Sequence, residues 1–485
     1  MSERLQKVER LREAGIDPYP RSFPDRTKIA TILAAHDPEE LGAGEHSQWS
    51  YRIAGRLVGQ RGHGKTAFFD LRDLSGSMQA YARRDALGDE AFERIEDLDI
   101  GDVVGVEGDL YVTKRGQLAL EVRECILLAK SLRDPPDLFH GIADPETRYR
   151  HRELDLMANE RTREIFLLRA RLIAAIRNYM NDHDFVELET PTLQRLAGGA
   201  AARPFETHHN ALGQDFVLRI SSELHLKRAV VGGFENVYEL GKFFRNEGIS
   251  PQHNPEFTMM EWFKAGAEYK EVMAYTEGLI SSVVEQVLGT TKVERGGETI
   301  DFAAPWQRLS LRDAILEQAD VDILAASRDE LAAVLDDDVD PKADWATVVD
   351  LLQAKLVEPK LVQPTFLYDL PRAIWPLVPS HPEHPELAVA FDGIVDGIEI
   401  LGGGSDINDP IEQRERFVEQ RKRQEEGSEE MPHENDEQFV QALEHGMLTM
   451  SGSGLGVDRL LMILAEVENL REVILFPTMR EASEG

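Results

Sequence analysis

The segment from Phe243 to Trp262, FFRNEGISPQHNPEFTMMEW, concentrates groups able to handle a polyphosphate. Arg245 offers a fixed fork of donors matched to phosphate and carboxylate oxygens, and Glu247, His253, Asn254, Phe257 and Glu261 lie in the same short stretch. A guanidinium, an aromatic plate and carboxylates on one surface could hold a phosphate, a base and an amine together. β-favouring runs flank a centre rich in Gly, Ser, Pro and Asn (residues 248–255), so the pattern predicts a long-looped hairpin. Alternation turns Phe243, Arg245 and Glu247 one way, and sets Phe257, Met259, Glu261 and Phe263 on one face of the return strand. The plainer alternative is a solvated hairpin with weak surface ion pairs. That alternative exposes Phe243, Phe257 and Phe263, which is unusual without a ligand or partner.

Further chemistry lies downstream. In AVAFDGIVDGIEILGGGSDIND, Asp392 and Glu399 fall on a strand pair split by the turn signal Asp396-Gly397. Two carboxylates near a phosphate site suit Mg²⁺, which takes hard oxygens and uses substrate phosphates as further ligands; satisfied edge carboxylates are the alternative. GSGLGVDRLLMIL carries Gly at 452, 454 and 456 before an apolar helix. No βαβ unit surrounds it, so a dinucleotide fold is excluded. What remains is a tight strand-to-helix turn with Arg459 in the first helical turn, a cation beside free N–H groups suited to phosphate. Upstream, Gly198-Gly199 permits close backbone approach. His208-His209 has no Cys and no regularly spaced acid with it, which disfavours a metal. Glu223 stands one helical turn before Lys227, either as a surface pair or as an anion for a substrate ammonium.

The elements that must position these groups need 485 residues, enough for two or three domains. A single cysteine, Cys125, excludes an intrachain disulfide. The N-terminal MSERLQKVERLREAG is a charged amphipathic helix rather than a signal peptide, and no run approaches the ~18 apolar residues of a membrane span. A cytoplasmic setting with no membrane partner is expected. Net charge is −34, from 54 basic and 88 acidic residues. Alone it argues against a nucleic-acid partner; it suits high salt, where self-repulsion is screened.

Residues 1–48 read as a helical extension. From 49 to 132 the pattern becomes five short strands (51–58, 67–73, 78–83, 103–113 and 117–128) with a helix after the third, as in a small barrel of the OB type. Against the global acidity, this region offers Arg52, Arg56, Arg61, His63, Lys65, Phe68, Arg72, Gln79, Tyr81, Arg83 and Arg84, a basic patch interleaved with aromatics of the kind that binds single-stranded nucleic acid. Phe68 and Tyr81 as core residues are the alternative. Residues 133–150 read as a linker and 151–485 as a catalytic domain. Within it, 161–181 predicts an amphipathic helix, for core or dimer contact, and 308–360 an acidic helical insertion containing DDDVDPKADW. A second acidic loop, EEGSEEMPHEND, separates two helices near 410–446.

The helix and strand ending at Pro191, the Arg245 hairpin and the Gly-rich turn with Arg459 resemble, in order, the three motifs of class II aminoacyl-tRNA synthetases. With the barrel, the chain is similar to subgroup IIb (the lysine, aspartate and asparagine enzymes) and in detail to the bacterial lysyl-tRNA synthetases. GGAAARPFETHHNAL, SSELHLKRAVVGGFENVYEL, FRNEGISPQHNPEFTMME, GLGVDRLLMIL, DPPDLFHGIADPETRYRHRELDL and REVILFPTMR carry the likeness. It implies an α+β fold, an OB-type barrel plus an antiparallel catalytic sheet flanked by helices, acting as a homodimer. It implies ATP and Mg²⁺ as cofactors, lysine and tRNA as substrates, and a lysyl-adenylate intermediate. By the same resemblance Arg245 and Arg459 are catalytic. Glu247, His253, Asn254, Phe257 and Glu399 join them around ATP, while Asp392 and Glu399 hold the metal. Gly199, Glu223, Glu261, Phe263, Gly402 and Asp406 surround the amino acid, and Arg61, Phe68 and Gln79 read the anticodon. The chain departs from the lysine enzymes where they carry Asn, Phe and Glu, having Gly402, Gly404 and Asp406, and where they carry Tyr, having Phe263. The Gly402–Ser405 run resembles aspartate enzymes, but the carboxylate-binding Arg that follows there is absent. The acidic pocket favours a cationic substrate. A paralogue activating another amino acid or using a non-tRNA acceptor, and a non-enzymatic nucleic-acid-binding module, are the competing readings.

Overall fold

The computed structural model describes residues 3–42, 44, 46–335, 339–425 and 436–481. The chain forms two compact units, Met1–Asn159 and Glu160–Gly485. Most of the acidic loop EEGSEEMPHEND and the start of DDDVDPKADW lie outside the described residues.

The first unit is built on a closed barrel of strands His46–His63, Thr66–Arg72, Ser77–Arg83, Leu118–Ala129 and Val103–Val112, in that spatial order. Strict alternation makes it: Ala67, Phe69 and Leu71 point inward from the second strand while the residues between them face out. The helix Asp89–Glu96 buries Phe92 and Ile95 in the same core. Ile29 and Ile32 of the N-terminal extension are fully buried there too, so the extension packs on the barrel. Residues 133–150 contain the short helix Pro145–Arg150, capped by Asp144.

The second unit is built on an eight-stranded sheet. Its strands run Gln307–Ser310, Thr365–Tyr368, Ala390–Val395, Ile398–Ser405, Met450–Gly456, Glu256–Ala265, Asn236–Phe244, Val186–Glu187. Only the two outermost pairings are parallel, so the sheet is antiparallel through its middle. The helix Glu160–Asp182 lays Ile165, Leu168, Leu172, Ile176 and Met180 against one face, and the helix Tyr269–Leu288 packs beside it over Trp262. Each such side chain contributes roughly 1.5–3 kcal/mol by leaving water. Asp396 and Gly397, at φ 53° and 68°, make the turn between the Asp392 and Glu399 strands.

Three expectations change. The first three residues of the 308–360 stretch belong to an edge strand of this sheet; the helices that follow build a separate core on it with Leu367, Ala390 and Ile394. The glycines at 452 and 454 sit inside a central strand, and the turn begins only at Gly456. A Cβ at Gly452 would stand 2.3 Å from the Phe263 ring, which explains a strand built of small residues. Lastly, the Arg245 hairpin does not expose its aromatics: Phe243 is fully buried against the Arg219 guanidinium, 4.5 Å away, and Phe263 is buried as well. Only Phe257 is half-buried.

Candidate active site

Cross-strand register assembles the site. Asp392, Gly402, Gly454, Glu261 and Glu239 oppose one another in a row across five strands, so they share a face. Asn236–Phe244 ends before Arg245, whose N–H donates to Pro255 O at 2.9 Å and closes the loop. Alternation therefore does not extend to Glu247, which is exposed on that loop.

Two cavities of about 260 and 270 Å³ open along this face. Arg245, Glu247, His253, Asn254, Phe257, Glu399 and Arg459 line the first. Gly199, Glu223, Glu261, Phe263, Gly402 and Asp406 line the second. Arg245, Met259, Glu399 and Gly454 line both, so the cavities meet at the guanidinium. That group lies 5.2 Å from the Phe257 ring centre, and its buried Nε has no hydrogen-bond partner among the described residues. Burial pushes the Arg245 pKa down, and Glu247, Glu261 and Glu399 act against that. Asn254 is buried and donates to Glu256 O at 2.6 Å, while its Oδ1 has no partner among the described residues. Arg459 donates to Glu399 O at 2.7 Å and approaches His253 Nε2 at 3.1 Å. Desolvation, then Arg459, lowers the His253 pKa, so the neutral ring can accept from the guanidinium.

Glu261 is held from three directions: Ser221 Oγ donates at 2.7 Å, Ser222 N at 2.6 Å and Ser222 Oγ at 2.5 Å. Burial still raises its pKa. Glu223 and Lys227 are not a surface pair. Lys227 Nζ is buried and lies 2.5 Å from both Glu223 Oε1 and Asp406 Oδ1. Burial opposes the ammonium, yet the two carboxylates win and raise its pKa, so it stays charged. Asp406 is then the group that titrates: burial raises it to about 7 although Lys227 pulls it down. Its Oδ2 is buried and has no hydrogen-bond partner among the described residues.

Asp392 lines neither cavity. It stands beside Gly402 on the neighbouring strand, and its Oδ2 accepts from Gln353 Nε2 at 3.0 Å. Desolvation raises its pKa well above the usual range, and Glu399 and Glu358 add to this. Glu399 is exposed at the cavity mouth. Among the described residues no three His, Cys, Asp or Glu form a metal cage. Glu399, which lines the cavity, is a hard carboxylate suited to a cation that takes further ligands from phosphates and water, whereas Asp392 stands out of the cavity behind it. His208 pairs with Asp215 at 2.6 Å on an exposed strand of a separate small sheet.

In the first unit, Arg61, Phe68 and Tyr81 oppose one another across three strands. Phe68 and Tyr81 stack at 4.7 Å and point outward, not into the core, with the Arg61 guanidinium 5.9 Å from Phe68. Gln79 donates to Asp70 at 3.1 Å. The basic patch is smaller than the sequence implied, because Arg52, Arg83 and Arg84 pair with Glu107, Asp85 and Asp89.

Residues 144–480 match the model of the tRNA synthetases class II (D, K and N). The chain belongs to this family. Residues 51–128 match the OB-fold nucleic acid binding domain. The chain is 45% identical to a lysine–tRNA ligase of Dehalococcoides mccartyi, over 99% of this chain and 97% of that one. It is 44% identical to that of Moorella thermoacetica, over 100% and 98%, and 42% identical to that of Staphylococcus aureus, over 99% and 98%. Contacts around the site also show supporting roles that the sequence reading of this synthetase did not assign. Arg169 donates to Thr258 Oγ1 at 2.8 Å and pairs with Asp458 at 2.5 Å, fixing the helix start beside Arg459. Lys227 and Gln353 hold three of the expected site carboxylates, Glu223, Asp406 and Asp392. No local pattern marks Arg169 or Gln353, since their partners are distant in sequence.

Proposed function

We propose that this synthetase attaches lysine to tRNA through a lysyl-adenylate, working as a homodimer. The observation that carries the reading is the junction of the two cavities at Arg245. A lysine carboxylate from one side and an ATP α-phosphate from the other would meet at its fork. The carboxylate oxygen attacks phosphorus in line, the bond to pyrophosphate breaks, and the guanidinium balances the growing charge. Phe257 and Arg459 clasp adenine, with Glu247, His253 and Asn254 around the nucleotide. Gly199, Glu223 and Glu261 receive the α-ammonium, and the free Oδ2 of Asp406 the side-chain ammonium. Asp392 and Glu399 would hold Mg²⁺, which neutralises phosphate charge when bound. In the second step a tRNA 3′-terminal hydroxyl attacks the acyl carbon and AMP leaves; Arg61, Phe68 and Gln79 grip the anticodon. ATP–pyrophosphate exchange across all twenty amino acids, followed by charging of total tRNA, tests the reading. Lysine alone should drive exchange, and exchange driven only by another amino acid would sink it.

A pH signature follows from Asp406. Its carboxyl is raised to about 7, and the protonated form has no charge to offer an ammonium. The KM for lysine should therefore rise as pH falls from 8 to 6, by about ten-fold per unit once below the pKa. Asp406→Asn should have a high lysine KM that no longer follows pH. A parallel slope in the variant would remove Asp406 from the side-chain contact.

A further inference from the structure

The floor between Glu261 and Asp406 is made of glycine. Gly402 opposes Gly454 in one row of the sheet and Gly404 opposes Gly452 in the next. Such a floor lowers the surface by a side chain's depth, and the room above it is partly filled from outside the sheet. A Cβ on Gly402 would stand 3.2 Å from Trp375 Cη2, and one on Gly404 3.2 Å from Val378 Cγ2. The indole tip thus rests on backbone where any other residue would push it away.

The segment bearing Trp375 is pinned. Trp375 N donates to Arg372 O at 2.9 Å, Val378 N to Trp375 O at 3.2 Å, Ile407 N to Leu377 O at 3.0 Å and Gln413 Nε2 to Pro376 O at 3.2 Å. Bridges Pro371–Leu387 and Ser380–Ala388 hold both its ends. Trp375 is half-buried, and it lines the second cavity together with Glu261, Phe263 and Asp406. A rigid aromatic wall therefore faces a pocket that ends in the Asp406 carboxylate, whose Oδ1 pairs with Lys227 and whose buried Oδ2 has no partner among the described residues. An indole face attracts a cation and packs along an alkyl stem.

We propose that Trp375 is a specificity-determining residue of this enzyme, its indole closing the side-chain pocket over Gly402 and selecting an amino acid with an alkyl stem and a terminal ammonium. The inference rests on the lysine reading given above. Trp375→Ala should raise the KM for lysine about ten-fold and lower the preference for lysine over ornithine, one methylene shorter, by a similar factor. The KM for ATP should stay within about two-fold, which shows that the fold and the nucleotide cavity survive. Gly402→Ala alone should impair exchange, since its Cβ meets Trp375 and, at 3.1 Å, Asp392 Oδ1. Trp375→Ala/Gly402→Ala should recover part of that loss. Unchanged lysine KM and unchanged lysine-to-ornithine preference in Trp375→Ala would overturn the proposal. If the parent enzyme uses a different amino acid, the lysine reading fails by itself. The same comparison run with that amino acid then decides the role of Trp375: a raised KM for a side chain with an alkyl stem and a cationic end supports it, and an unchanged KM or a side chain of another class overturns it.

Discussion

Arg245→Ala is expected to lower ATP–pyrophosphate exchange by about 10³-fold while leaving the protein as stable as the parent. The two halves of this expectation have one cause. Arg245 has no ion pair among the described residues, and its buried Nε has no partner. In the free protein the guanidinium is therefore a cost: burial works against it, as its lowered pKa shows. Removing a buried charge that no ion pair holds relieves a desolvation cost, which offsets the packing lost with the stem. On the proposed function the same group gains its partners when two anions enter from the two cavities that share it, and interactions made at that moment act on rate rather than on stability. Arg245→Lys should recover little, because an ammonium is a point charge and cannot span two oxygens in a plane. Exchange within ten-fold of the parent in Arg245→Ala, or a loss of activity that tracks a fall in melting temperature, would show that the residue is structural.

The sequence displayed much of the first cavity's lining well because those residues are local. Arg245, His253, Asn254 and Phe257 occupy one hairpin, so their composition and order already describe one surface. The barrel was equally legible, since a half-exposed strand writes its burial as alternation. What local pattern could not supply was depth. Phe243 reads as exposed when only its own strand is considered, but Arg219 arrives from another segment and covers it. A run of alternating glycines reads as a turn, and only the pairing with two neighbouring strands makes it a strand, with the Phe263 ring leaving no room for a side chain at Gly452. Helical spacing places Glu223 beside Lys227 but does not say which side faces inward. Trp375 lies in a loop with no periodicity, so its seat over Gly402 is visible only in three dimensions.

Lys227 carries the largest stability effect expected in the catalytic unit. Its ammonium lies between two carboxylates, with side-chain exposures of 1% for Lys227, 19% for Glu223 and 5% for Asp406. Truncating one member of such a cluster leaves the others buried without compensation, at a cost of about 3–5 kcal/mol. Lys227→Met keeps the stem packed near the Phe263 ring, whose centre is 5.6 Å from Nζ, so the loss is electrostatic rather than a cavity. Two like charges then face each other, and the one that can yield is Asp406, already raised to about 7 with Lys227 in place. Without Lys227 it rises further. Below that pKa the carboxyl is neutral and the repulsion disappears; above it the full repulsion returns. The destabilisation of Lys227→Met, measured as the shift in urea midpoint, should therefore be larger at pH 8 than at pH 6. Lys227→Met/Asp406→Asn should recover much of the loss at pH 8 and little at pH 6, because the Asn supplies permanently what protonation supplies at low pH. A Lys227→Met variant as stable as the parent at pH 8 would mean that Glu223 and Asp406 do not depend on this cation, and the pocket would then present two free carboxylates to its substrate.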